Sequence, residues 1–237
     1  MQRMKILSTL AFLIAATAAG CNTPTTGAEG NIAFTPLDCG RFGGCDFADR
    51  VGVGGLLNVH ISGLEGFSTA GLELDSSDPE VMEVLPVGDV GGQPTWSIRG
   101  IAPGTAGLLA VDANLEVFDF IDVDIVQPDR LIMQNFIGEA VGPTFDTPGY
   151  DEHWLVNANE RAVFYVAPSL GEDSPVMGVY EYAPVVDVGL TEMVNDPDVL
   201  SEGQLDITPT TPGAYEVVFN DNYGNSIIAL IDVQDTL

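Results

Sequence analysis

The chain has 237 residues, 46% of them hydrophobic, with 7 Lys+Arg against 35 Asp+Glu and a formal net charge of −28. A chain this acidic is repelled by phosphate backbones and anionic headgroups, which argues against nucleic-acid binding and against electrostatic membrane association. The same charge suits cation binding, or solubility in a salty medium where screening hides self-repulsion.

The first elements concern export. Arg3 and Lys5 precede a largely apolar run, Leu7 to Ala19, too short to span a bilayer but right for the hydrophobic region of an export signal. Small residues, Ala18-Ala19-Gly20, then lead directly into Cys21. This resembles the lipobox of bacterial lipoproteins, although Ala18 stands where that family usually has leucine. The resemblance implies that residues 1–20 are a lipoprotein signal peptide and that Cys21 carries the lipid. An ordinary cleaved signal with a spare thiol is the alternative. Loss of Arg3 and Lys5 would leave five arginines, no lysine and a net charge of −30. Membrane attachment would then come from the lipid alone. Asn22 is not the aspartate that retains enteric lipoproteins at the inner membrane, so by that resemblance the outer membrane is expected.

Residues 21–33 are small, polar and broken by Pro and Gly, and read as a flexible tether reaching roughly 40 Å when fully extended. With Cys21 acylated, Cys39 and Cys45 remain as an even pair in an oxidising compartment, which predicts a disulfide. Closing so short a loop contributes only about 2 kcal/mol on the chain-entropy model.

From there to the C-terminus strands and turns are expected, because no segment holds a helical period over ten residues. Val51 to Ser62 is β-compatible, Ala70 to Asp75 alternates, and Thr95 to Arg99 places Trp96 and Ile98 on one face. Turn residues punctuate at Ser76-Ser77-Asp78-Pro79, Gly91-Gly92-Gln93-Pro94, Pro103-Gly104, Thr147-Pro148-Gly149 and Pro212-Gly213.

An internal echo divides the chain. Pro103-Gly104 is followed by a strand, Asp112, a turn and a last strand ending Asp124-Ile125-Val126-Gln127. Pro212-Gly213 is followed by a strand, Asp221, a turn and Ile231-Asp232-Val233-Gln234. This suggests two copies of one fold, at 34–127 and 128–237.

The first copy, through Leu74-Asp75-Ser76-Ser77-Asp78-Pro79-Glu80-Val81 and Gly100-Ile101-Ala102-Pro103-Gly104-Thr105-Ala106, resembles the bacterial immunoglobulin-like domains. The second matches more loosely, through Thr211-Pro212-Gly213-Ala214-Tyr215. The resemblance implies an all-β protein of two immunoglobulin-like β-sandwiches in tandem, acting in spacing, adhesion or binding to a protein or glycan partner. Tyr215 is placed to form a tyrosine corner, its hydroxyl bonded back to nearby backbone.

Candidate chemistry is sparse. In Glu116 to Ile125 a bulge near Phe120-Ile121 would turn the apolar side chains inward and Asp119, Asp122 and Asp124 outward, where Ca²⁺ could bind them. No H-E-x-x-H, G-x-S-x-G, P-loop or C-x-x-C occurs. His60 lies in an apolar strand and reads as a packed residue. His153, beside Asp151, Glu152 and Trp154, is the better acid–base candidate, with the tryptophan as a pocket wall, but it has no partner nucleophile. Trp96 and Trp154 are expected as core anchors. A lipid-anchored, non-catalytic envelope module is therefore expected, with a calcium-stabilised adhesion module or a carboxylate-dependent glycan hydrolase as alternatives.

Overall fold

In a computed structural model the described residues are 23–37, 47, 50–90, 92–144, 146–171 and 175–235. The expected lipidation at Cys21 and disulfide between Cys39 and Cys45 lie outside them.

Nine strands come from the first half: β1 (Thr25–Thr26), β2 (Ile32–Pro36), β3 (Val51–Gly52), β4 (Leu56–Gly63), β5 (Glu73–Ser76), β6 (Met82–Val90), β7 (Gln93–Gly100), β8 (Gly104–Val111) and β9 (Val117–Val126). They form two sheets, β1-β2-β4-β7-β6 and β3-β9-β8-β5. Period-two alternation drives Leu57, Val59, Trp96 and Ile98 of one sheet against Leu108, Ile121, Val123 and Ile125 of the other.

The second half contributes β10 (Arg130–Ile137), β11 (Ala140–Thr144), β12 (Glu152–Asn157), β13 (Ala162–Ser169), β14 (Tyr182–Val186), α1 (Val188–Thr191), β15 (Gln204–Ile207), β16 (Gly213–Asp221) and β17 (Ser226–Gln234). Its sheets are β10-β13-β15 and β11-β12-β17-β16-β14, enclosing Trp154, Phe164, Leu205, Phe219 and Ile231.

Strand order identifies the fold. In the first half β2-β4-β7-β6 and β5-β8-β9 reproduce the A-B-E-D and C-F-G sheets of an immunoglobulin sandwich. In the second, β10-β13-β15 supplies A-B-E and β14-β16-β17 supplies C-F-G. There α1 and a 3-10 turn, Pro197–Glu202, stand where the fourth strand would be. Each half also pairs a short early strand parallel to its last one, β3 with β9 and β12 with β17. Both halves are immunoglobulin-like β-sandwiches, and the echo lies on their last hairpins. Asp112 accepts the amides of Asn114 and Glu116, and Asp221 accepts those of Tyr223 and Asn225, so the same side-chain cap closes both turns. The tyrosine corner is present too, with Tyr215 Oη donating to the Thr211 carbonyl at 2.9 Å.

The two sandwiches are stitched together. Residues 175–180, between β13 and β14, lie across β3 and the start of β4. Four backbone hydrogen bonds cross this joint: Gly52 N to Met177 O, Met177 N to Arg50 O, Leu56 N to Val179 O and Val179 N to Leu56 O, at 2.7 to 3.1 Å. Met177 packs in the first core, while Val176 and Tyr180 pack in the second. The run Val51-Gly52-Val53-Gly54-Gly55 is glycine-rich because two tyrosines occupy its surface. A Cβ on Gly52 would collide with the Tyr180 hydroxyl, and one on Gly54 with the Tyr223 ring; Gly54 also has φ +83°.

Two expectations are corrected. Residues 25–33 are part of the fold and not a tether: β1 pairs with β2, and the Ala28 amide donates to the Phe120 carbonyl. The reason is Asp119. The bulge in β9 falls at Phe118, since Ala110 pairs with Asp119 and Val111 with Val117. That register puts Asp119 on the inward face with Ile121 and Val123, fully buried. Its carboxylate accepts the amides of Glu29, Asn31, Ile32 and Phe120 at 2.8 to 2.9 Å. A segment whose apolar contribution is confined to its end, at Ile32 and Ala33, is thus held along its length by charge-assisted hydrogen bonds as well.

Candidate functional site

The features most able to bind something lie in the second sandwich, where β10 and the β11–β12 hairpin part company. β10 ends one sheet and β11 ends the other, so the two edges face each other across an open side. The slot between them has a volume of about 610 Å³, and Arg130, Met133, Asn135, Gly142, Glu152 and Trp154 are among its lining residues.

Glu152 is its central group. β12 alternates buried and half-buried, so Glu152, Trp154 and Val156 share the inner face. Glu152 is 5% exposed. Its Oε1 accepts the Met133 amide at 3.0 Å and its Oε2 accepts the Trp154 indole N–H at 2.9 Å. The side chain therefore bridges the two sheets. Burial pushes its carboxyl above the ordinary range, against the opposing pull of those two donors and of the Arg130 charge. The Trp154 ring is held edge-on against Phe164, with centroids 5.3 Å apart, and Gly142 lies against its face. A carboxylate so placed can accept further donors from the slot.

His153 does not share this site. It points to the opposite face of β12, where Thr147 Oγ1 lies 2.9 Å from Nδ1 and Asp232 Oδ2 lies 3.7 Å from Nε2. Trp154 does form a pocket wall, but Glu152 accompanies it. Asp151, the other acid at the slot, accepts the Ile228 amide and is committed to the fold. His60 is half-buried in β4, and burial lowers its pKa, as befits a packed residue.

The proposed calcium trio is not brought together. Asp119 is buried and saturated by amides, whereas Asp122 and Asp124 point outward. Asp124 accepts the Thr105 hydroxyl at 2.7 Å. Among the described residues no group of three or more metal-ligating side chains converges. Of the other buried acids of the second sandwich, Asp221 caps the last hairpin and Asp206 is paired: Arg161 donates to both its oxygens and Asn195 to Oδ1. Arg161 holds that carboxyl below the usual range.

Sequence reasoning passed over Glu152 in favour of its neighbour. The signal was present: in Glu152-His153-Trp154-Leu155-Val156 the glutamate has the parity of Trp154 and Val156, so either face assignment that buries Trp154 buries Glu152.

No protein-family model matches this chain, and no curated protein matches it. Solved structures similar to it include domains 5-6 of the S-layer protein SbsC, with a TM-score of 0.31 and 14% identity over 91% of this chain and 100% of that one. Another is SGBP-B of the Bacteroides ovatus mixed-linkage glucan utilization locus, solved with a mixed-linkage heptasaccharide: TM-score 0.34, 9% identity, 80% of this chain and 45% of that one. A third is the Yersinia pseudotuberculosis adhesin InvE, with a TM-score of 0.31 and 12% identity over 88% of this chain and 61% of that one. Similarity at this level carries no function across, and the immunoglobulin-like assignment rests on strand order.

Proposed function

We propose that this chain is a non-catalytic binding or spacing module of the bacterial envelope, held by lipid on Cys21 and built as two sandwiches locked into one body. The observation that carries the reading is the joint: a segment of one sandwich hydrogen-bonds to the other and places side chains in both cores. A fixed joint is what a spacer, or a platform presenting a binding surface away from a membrane, requires. The buried acids are in keeping with it, because Asp119, Asp206 and Asp221 each spend their oxygens on backbone amides, an arginine or a turn. The expected surroundings are the outer membrane and a protein or glycan partner, with no nucleic acid. The export and lipid part rests on the resemblance of residues 1–21 to a lipoprotein signal. Metabolic labelling with an alkyne fatty acid tests it: the wild-type chain takes up label and partitions with membranes, whereas Cys21→Ser does neither. Equal labelling of both removes the anchor from the account.

A further inference from the structure

The β10-β13-β15 sheet turns Leu131, Met133, Phe164, Leu205 and Ile207 into the second core, so the alternate positions form its outer face. Two rows of that face are in register. Gln134, Tyr165 and Gln204 stand side by side across the three strands, and Ile137, Val163 and Asp206 form the next row. Phe136 is the unpaired residue of a bulge between them, since Asn135 pairs with Phe164 and Ile137 with Val163. The bulge puts Phe136 and Ile137 on the outer face together. The rings of Phe136 and Tyr165 meet edge to face, with centroids 5.3 Å apart, and this contact leaves Phe136 64% exposed. Hydrogen-bonding groups flank the ring. Arg161 spends two of its five N–H donors on Asp206, and its side chain is 54% exposed. Asn195 donates to Asp206 and Thr208, which leaves its amide oxygen as an acceptor. Gln134 is exposed, whereas Gln204 is 8% exposed and its amide makes no hydrogen bond to another described residue. A buried amide in that state is short of a partner.

We propose that this outer face binds a neutral, β-linked glucan, with one pyranose ring lying on Phe136 and its hydroxyls bonded by Gln134, Gln204, Asn195 and Arg161. A pyranose whose substituents are all equatorial has flat C–H faces that suit an aromatic ring, and a rim of hydroxyls that needs donors and acceptors at once. The amides and the guanidinium supply both. Equatorial linkage makes the chain a flat ribbon, which a sheet face accepts more readily than a coiled, α-linked chain. From β10 to β15 the face is about 10 Å across, room for neighbouring rings of one chain. Charge selects a neutral ligand, because a net charge of −28 repels uronates, sulfated sugars and a second copy of this chain alike. The carboxylate in these two rows, Asp206, is already answered by Arg161, so the face has no call for a cationic partner. The site also stands clear of the joint. β13 runs from Val163, in this face, to Ser169, whose bridge partner Pro175 opens the joint segment, and those six steps cover about 20 Å.

This inference rests on the reading of the chain as a binding module, and neither lipid labelling nor cooperative unfolding depends on it. The test is titration of the full chain with cellohexaose, followed by NMR at the Phe136 and Tyr165 rings, the Gln134, Gln204 and Asn195 side-chain amides and the Arg161 Nε–H. Saturable shifts centred on these groups are expected, with Phe136→Ala weakening binding by at least about tenfold and Phe136→Trp retaining it. Phe136 is exposed, so its replacement leaves the core untouched; Gln134→Ala, also at an exposed position, should weaken binding without it. No shift at millimolar cellohexaose, shifts that Phe136→Ala leaves unchanged, shifts of equal size with maltohexaose or a hexagalacturonate, or concentration-dependent shifts without sugar would each overturn the proposal.

Discussion

The Tyr180 hydroxyl occupies the space that a side chain at Gly52 would need, so the joint between the sandwiches is written into a residue with no side chain. Tyr180 is 6% exposed, and its hydroxyl donates to the Met177 carbonyl at 3.2 Å. Gly52→Ala should therefore overpack the joint and cost about 1 to 3 kcal/mol. Tyr180→Phe should cost about 1 kcal/mol, the net worth of one hydrogen bond, and Tyr180→Ala about 3 to 5. Urea melts of the three variants check this ordering; a neutral Gly52→Ala would mean that the tyrosine sits elsewhere.

Asp119 should be the dominant polar anchor of the N-terminal segment. Asp119→Ala strands four amide donors and should destabilise by about 3 kcal/mol or more, since bonds to charged groups are worth about 1.5 to 3 each. Hydrogen exchange gives the local readout: the Glu29, Asn31 and Ile32 amides are protected in the wild-type chain and should exchange rapidly in the variant. Protection that survives the substitution contradicts the assignment.

Stability should respond to pH in opposite directions at two carboxyls. Asp206 titrates below its ordinary 3.8 when folded because Arg161 bonds to it. Its contribution is complete above that value and is lost as pH falls through the lowered one. Glu152 titrates above its ordinary 4.5 because it is buried. The folded chain there holds its proton more tightly, so stability falls as pH rises from 4.5 to the raised value and stays lower beyond it. Asp206→Asn should flatten the loss at the acid end, and Glu152→Gln should flatten the decline above 4.5. Thermal melts across pH 2 to 8 measure both, and unchanged slopes would remove these two groups as causes.

The tyrosine corner offers a small, local check. Tyr215→Phe deletes one hydroxyl bond to the Thr211 carbonyl and should cost about 1 kcal/mol without altering the rest of the spectrum.

What was legible in the sequence was whatever depends on local period and turn chemistry. Trp96 and Trp154 were readable as core anchors, Tyr215 as a corner, and Asp112 and Asp221 as equivalent turn positions, because each follows from spacing within a strand or hairpin. Asp119 was misread because an aspartate among isoleucines looks like a solvent-facing residue until its partners are known. Three of its four partners are amides 87 to 90 residues away, which no local pattern reports. Residues 25–33 were misread for the same reason. The glycines of 51–55 carried no meaning alone, since their purpose is set by Tyr180 and Tyr223 in the other sandwich. Glu152 was legible by parity, and its carboxylate character concealed it.

One measurement bears most directly on the two sandwiches being one body. The chain has two tryptophans, one in each core, so the unmodified protein carries its own pair of reporters. The folded-state indole N–H signals of Trp96 and Trp154 can be followed by NMR through a urea series. Coincident loss of both, with one midpoint and one slope, is the result expected of sandwiches locked through residues 175–180. Two separated midpoints in the wild-type chain would show that each sandwich unfolds alone and would contradict the account.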